Sequence, residues 1–290
     1  MSEKIIEVLR LQKSYKANRV LKDVSFTIDK GSIFALLGSN GAGKTTVIKI
    51  LSTLLKPDGG SAAINGFDVA ANGEHVRECI SLTGQFVAVD EILTGRENLM
   101  LIGQLKHLPN LKSTVNQWLS FSRLEDAAGR KVSTYSGGMR RRLDIAMSLM
   151  GNPDILFLDE PTTGLDPQNR IAMWNLVKNL AKTGTTVFLT TQYLEEAEYL
   201  ADTIAILHGG KIIAEGTPKY LKEIMPERGV RLIFDSEVKA NSAIKLLTEN
   251  GISADSVELN LPSLEDVFLT LTDEKKEGRQ HEKNKQKCNF

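Results

Sequence analysis

Ile33-Phe34-Ala35-Leu36-Leu37-Gly38-Ser39-Asn40-Gly41-Ala42-Gly43-Lys44-Thr45-Thr46 sets an apolar run against a glycine-rich stretch, and a helix-compatible segment follows as far as Leu55. Read as strand, loop and helix, it meets the P-loop template G-x-x-x-x-G-K-[ST] at every required position. Gly38, Gly41 and Gly43 let the backbone bend until successive N–H groups face inward, and the helix start adds the positive end of its dipole. A nucleotide phosphate fills such a nest, which makes Gly38, Ser39, Asn40, Gly41, Ala42, Gly43, Lys44, Thr45 and Thr46 the expected cradle. Lys44 brings a mobile ammonium to the β- and γ-phosphates, and the Thr45 hydroxyl is placed to hold Mg2+. The bland reading, a glycine-rich turn between a strand and a helix, is disfavoured because a chance match in a chain of this size is on the order of one in a hundred.

The 290 residues are enough for one large α/β domain and a smaller appendage. Lysine plus arginine equal aspartate plus glutamate at 36 each, so there is no overall electrostatic footprint for nucleic acid or an anionic membrane, and no nucleic-acid partner is expected. Cys79 and Cys288 stand far apart without metal-ligand spacing, which suits a reducing compartment. No apolar run approaches the ~18 residues that span a bilayer, and charge interrupts the first residues where a signal peptide needs an apolar core. The expectation is a cytoplasmic chain whose membrane role runs through a partner.

Residues 5–36 alternate apolar and polar positions in three strand-like runs, read as an antiparallel flank beside the nucleotide strand. Tyr15 follows the first run; its ring either stacks on an adenine base or packs locally at a strand end. The helix after the loop is expected to present Val47, Ile48, Ile50, Leu51, Leu54 and Leu55, and to stop at Pro57-Asp58-Gly59-Gly60. Ser81-Leu82-Thr83-Gly84-Gln85 reads as a buried strand ending in an exposed glutamine. Most such glutamines are solvated loop residues, although the amide oxygen can ligate a metal ion or water. Residues 94–123 turn helical, the best candidate for a helical insert, here bounded at about 90–150.

Tyr135-Ser136-Gly137-Gly138-Met139-Arg140-Arg141-Arg142 precedes a helix with Ser136 as N-cap. Its bare start is a second place for an anion; on its own, a capped helix with a solvated arginine face is the simpler reading. Ile155-Leu156-Phe157-Leu158-Asp159-Glu160 is a continuous apolar strand that delivers Asp159 to a Mg2+ ion and Glu160 to an attacking water. Thr186-Val187-Phe188-Leu189-Thr190-Thr191 brings Gln192 to the same edge as Glu160. Residues 204–214 read as a hairpin that completes the nucleotide domain. Beyond the domain 1–225, residues 226–272 read as a small α+β accessory domain with a strand at 230–234, a helix around Ala243–Leu247 and a strand at 257–259, and the charged stretch 273–290 as a disordered tail.

The P-loop, Gln85, the Ser136-Gly137-Gly138 signature, Leu158-Asp159-Glu160 and Gly164-Leu165-Asp166, in this order, resemble the ATPase subunit of ABC transporters. Leu93-Thr94-Gly95-Arg96-Glu97-Asn98-Leu99, the run from Thr190 to Ala197 and Pro262-Ser263-Leu264-Glu265 look like its daunorubicin-resistance type of drug exporter. The resemblance implies an α/β P-loop NTPase core with an antiparallel flank and a helical insert, binding ATP and Mg2+. It also implies an ATP-dependent homodimer in which Ser136, Gly137 and Gly138 contact the γ-phosphate held by the other copy, and it counts Asp166 among the nucleotide-binding residues. Gln85 would sense Mg2+, Glu160 would be the catalytic base, and Tyr15 falls where the family stacks an aromatic on adenine. Gln192 stands where most members carry a switch histidine; its amide can donate to the γ-phosphate but cannot take up a proton. The implied activity is ATP hydrolysis powering efflux of a drug-like or amphipathic compound through a separate permease at the inner face of the cell membrane. Two other readings are a soluble family ATPase acting on ribosomes or nucleic acid, and a low-turnover nucleotide-binding regulator.

Overall fold

The computed structural model describes residues 3–85, 87–223 and 237–250. The chain divides into two units, Met1–Thr217 and Pro218–Phe290. In the first, β1 (Lys4–Tyr15), β2 (Asn18–Asp29), β4 (Gly59–Ile64) and β5 (Phe67–Asp68) form an antiparallel sheet in the order β2-β1-β4-β5. The second sheet holds β3 (Ile33–Leu37), β6 (Ile80–Thr83), β7 (Ile155–Asp159), β8 (Thr186–Thr191), β9 (Thr203–His208) and β10 (Lys211–Gly216), in the order β10-β9-β3-β8-β7-β6. Every pair from β9 to β6 is parallel, and β10 closes the edge as the antiparallel arm of a hairpin with β9. Both edges of β3 are therefore taken by β8 and β9, so the antiparallel flank is a separate sheet and not an extension of the nucleotide strand.

The two sheets share one core. Phe26 of β2 stacks on Phe34 of β3 at 5.0 Å between ring centroids, and Phe188 of β8 lies 5.4 Å from Phe34 and 6.0 Å from Phe26. The helix after the loop, α1 (Lys44–Leu51), buries Val47, Ile48, Ile50 and Leu51 in the same cluster. It ends sooner than expected: Ser52 is its C-cap, Thr53 turns left-handed at φ 63°, and Leu54 points to solvent at 66% exposure. After α2 (Gly73–Cys79), the block expected to be helical holds α3 (Gly95–Leu105), α4 (Leu111–Phe121) and α5 (Gly137–Leu149). Thr94 starts α3 with a reciprocal capping box to Glu97, a local signal that fixes where the helical block begins. α6 (Pro167–Lys182) and α7 (Leu194–Leu200) follow β7 and β8.

In the second unit the described elements are α8 (Pro218–Glu223) and α9 (Glu237–Glu249), the latter spanning the helix expected around Ala243–Leu247. The accessory-domain strands expected at 230–234 and 257–259, the stretch from Pro262 and the tail 273–290 lie outside the described residues.

Candidate functional site

Parallel strands deliver their C-terminal ends to one edge of a sheet, and here β3, β7 and β8 do so side by side. The loop leaving β3 is tied to its neighbour by the Gly38 N–H, which donates to the Thr191 carbonyl at 3.1 Å. Gly43 caps α1 at φ 111°, and a Cβ there would lie 2.7 Å from the Leu21 Cδ2, so only glycine satisfies both the backbone and the packing. The N–H groups of the first turn of α1 consequently face the loop without a side-chain cap, as an anion site requires.

Lys44 and Glu160 meet in this loop. The Lys44 ammonium donates to the Gly38 carbonyl at 2.7 Å and to the Ser39 carbonyl at 3.2 Å, and pairs with Glu160 Oε1 at 3.2 Å. Asp159 has other partners: its Oδ1 accepts from the Thr190 hydroxyl at 2.6 Å and from the Thr45 hydroxyl at 3.4 Å. Two consecutive carboxylates thus serve different neighbours. The divergence is built into the backbone, because Glu160 adopts φ 50° where β7 ends, a conformation that costs a non-glycine residue energy and needs support. Support comes from β8, where the Thr190 carbonyl and hydroxyl accept from the Glu160 N–H at 3.2 and 3.1 Å.

A cavity of about 490 Å³ opens over these groups. Asn40, Gly41, Gly43, Lys44, Thr45 and Thr46 line it from the loop and α1, and Gln85, Glu160 and Gln192 line it from the strand ends. Asn18, Val20 and Thr163 complete the wall, three residues that motif reading did not single out. Tyr15 is an exposed ring at the β1–β2 turn, paired across the hairpin with Asn18 but not itself part of the wall.

Ser136, Gly137, Gly138 and Asp166 are not on that wall either. Ser136 caps α5 by accepting from the Met139 N–H at 3.3 Å, leaving Ser136 and Gly137 exposed at the helix start. Gly138 faces Asn169, whose Oδ1 a Cβ would strike. Asn169 in turn donates its backbone N–H to Asp166 Oδ1 at 3.0 Å, capping α6, and its hydrogen bonds hold the Asp166 carboxyl below the usual range. The signature and the Asp166 turn therefore lean on each other outside the wall of the cavity.

The simple picture of a solvated arginine face fails at Arg141, which is buried at 4% exposure. Arg140 is half-buried and pairs with Glu91 at 2.9 Å. Burial lowers the Arg141 pKa and raises that of Asp144, its ion-pair partner at 3.4 Å. Glu196 on α7 is also buried; its Oε1 accepts from Trp174 Nε1 at 3.1 Å, and burial pushes the carboxyl up against the pull of Thr191, Thr162 and Trp174. Asp144 and Glu196 carried no warning beyond acidic residues at apolar-phase positions of their helices.

An apolar parallel sheet, a glycine cradle with an ammonium and two divergent carboxylates define a P-loop nucleotide-binding ATPase. The ABC transporter family model matches residues 21–163. A daunorubicin/doxorubicin resistance ATP-binding protein, DrrA, from Streptomyces peucetius is 45% identical over 251 residues, which cover 86% of this chain and 76% of that protein. A Nod factor export ATP-binding protein I from Burkholderia thailandensis is 41% identical, covering 77% of this chain and 74% of that protein. Among solved structures, an ATP binding subunit of an ABC transporter superposes with a TM-score of 0.69 at 28% identity, covering 92% of this chain and 99% of that one. A dimeric ATP-binding cassette in a post-hydrolysis state, bound to ADP and Pi, gives a TM-score of 0.66 at 26% identity, covering 73% of this chain and 98% of that one. The chain belongs to the ABC transporter family, as an ATP-binding, ATP-hydrolysing subunit.

Proposed function

We propose that this subunit powers the export of a drug-like or amphipathic compound through a separate membrane-spanning permease, while resting on the inner face of the cell membrane. The observation that carries the reading is a complete ATP site in a chain 45% identical to a daunorubicin/doxorubicin resistance ATP-binding protein. Among the described residues no helix is long and apolar enough to cross a membrane, in keeping with a partner that supplies the passage.

Within the site, Glu160 acts as general base on the attacking water and Lys44 binds the β- and γ-phosphates. Their contact at 3.2 Å suggests how the two roles are linked. A phosphate taken up by Lys44 competes for the ammonium and leaves the Glu160 carboxylate facing the cavity. Gln192 donates its amide to the γ-phosphate, a contact without the charge a histidine would bring. Asn18 and Val20 place the β1–β2 turn beside the cradle, and Tyr15 supplies the ring for adenine.

Among the described residues no three His, Cys, Asp or Glu side chains group around a metal position. The oxygen donors at hand are those of Thr45, Asp159 and Gln85, the set a Mg2+ ion takes when phosphates and water complete its shell. These residues fit the ion, which when bound would offset the charge developing on the transferred phosphoryl group. Because Ser136, Gly137, Gly138 and Asp166 lie off the cavity, they are assigned to the nucleotide of a second copy, in a homodimer that forms with ATP.

The relatives named above are resistance and export ATP-binding proteins, which does not favour a role on ribosomes or nucleic acid. The regulator reading turns on Gln192 alone, and turnover of the unmutated chain set beside Gln192→Ala and Gln192→His separates it from an enzyme. The decisive experiment measures phosphate release from ATP by the purified chain, alone and with its permease in lipid vesicles. Mg2+-dependent release is expected; none in either setting would refute the assignment.

A further inference from the structure

The geometry points to Arg141 as a positioning residue that sets Gln85 and Glu160 for hydrolysis together, because one buried guanidinium holds the backbone beside both. Its Nη1 donates to the carbonyl of Gly84, the residue before Gln85, at 2.6 Å. Its Nη2 donates to the Asp159 carbonyl at 3.3 Å, and its Nε to the Pro161 carbonyl at 3.2 Å, the residues on either side of Glu160. The inference rests on the reading that Gln85 and Glu160 act on ATP.

Only a planar, many-donor cation can make these contacts at once, since a guanidinium carries its N–H groups in a fixed fork. Asp144 keeps the charge in place from one turn further along α5, at 3.4 Å from Nη1. The other Asp144 oxygen accepts from the Ala88 N–H at 3.2 Å, on the far side of Gln85. Ser148, again on this face of α5, shares a hydrogen bond of 2.7 Å with the Thr83 hydroxyl at the end of β6. The loop around Gln85 is thereby gripped before and after the glutamine by the helix that begins at Ser136.

The consequence is mechanical. Glu160 sits in a strained backbone conformation whose N–H is fixed by Thr190, and Arg141 fixes the two flanking carbonyls. Gln85 cannot shift relative to Glu160 without breaking a buried charged hydrogen bond, which is a costly group to leave unpaired. Movement of α5, when Ser136 engages a nucleotide, is passed through Arg141 to both residues. The role is positioning, not contact with the reacting atoms.

The test uses the full chain carrying Arg141→Gln or Arg141→Lys, measuring ATP hydrolysis, binding of a fluorescent ATP analogue, the Mg2+ dependence of turnover and the melting temperature. For Arg141→Gln the expected result is a kcat lower by between about tenfold and about a hundredfold, with a KM and an analogue affinity within about twofold of the unmutated chain. The Mg2+ concentration for half-maximal turnover should also rise, because Gln85 is displaced. Arg141→Lys keeps the buried charge beside Asp144 without the fork, and should fold and lose kcat without losing affinity even if Arg141→Gln does not fold. A folded variant with unchanged kcat and Mg2+ requirement would overturn the inference, as would kcat and affinity falling together in step with the melting temperature. If the unmutated chain, with its permease, released no phosphate, the functional reading would fall first and this inference with it.

Discussion

Glu160 shows how a single residue combines backbone strain with chemistry. Glu160→Gln keeps the shape and leaves an amide oxygen for Lys44, but removes the proton acceptor. ATP binding should persist while turnover drops at least about a hundredfold, as for loss of a general base. Fluorescent-nucleotide binding and phosphate release check both halves, and hydrolysis at the unmutated rate would take Glu160 out of the role. Glu196 gives a different kind of prediction. Its folded pKa is raised by burial, so the folded chain holds a proton that the unfolded chain gives up, and stability falls as pH rises from the ordinary glutamate range through the raised value. Asp144 and Glu215 act in the same direction. Melting temperatures between ~pH 5 and ~pH 8 should therefore slope less steeply in Glu196→Gln than in the unmutated chain, and an unchanged slope would contradict this. Lys44, Thr45, Asp159 and Glu160 were legible because motif spacing constrains them. The buried Arg141, Asp144 and Glu196 were not, because their partners lie on other elements, and a charged residue's burial is decided by partners that local sequence does not name.

Elements carry the next layer. The runs that became β3, β7 and β8 were readable as strands because a parallel strand buried on both faces needs an unbroken apolar run. α1 ends before its apolar spacing does, since Leu54 and Leu55 continue the helical period while Thr53 leaves it. Phe188 joins the layers by touching Phe26, Phe34 and Phe157. Phe188→Ala should cost about 3–5 kcal/mol in denaturant unfolding, the range for a large aromatic truncated in a close-packed core. A loss under about 1 kcal/mol would mean that the sheets do not share a core there. At the start of α5, Gly138→Ala forces a methyl against Asn169 and disturbs the cap on Asp166. That variant should bind ATP normally, since the cavity wall is untouched, yet hydrolyse it more slowly; parallel losses of binding and turnover would contradict the separation of the signature from the cavity wall.

At the scale of the whole molecule, the proposal of a second copy rests on the division between the cavity proposed to hold phosphate and a signature that is not part of its wall. The order of motifs made that division readable in outline. That the signature packs on the Asp166 turn was not readable, because it depends on how α5 and α6 lean together through Gly138 and Asn169. The most direct measurement of the central claim is the sedimentation mass of the Glu160→Gln chain with and without Mg2+ and ATP, free and in the presence of its permease. Two copies with nucleotide and one without is the predicted result. A single copy under every condition would contradict the shared site and the trans roles of Ser136, Gly137, Gly138 and Asp166.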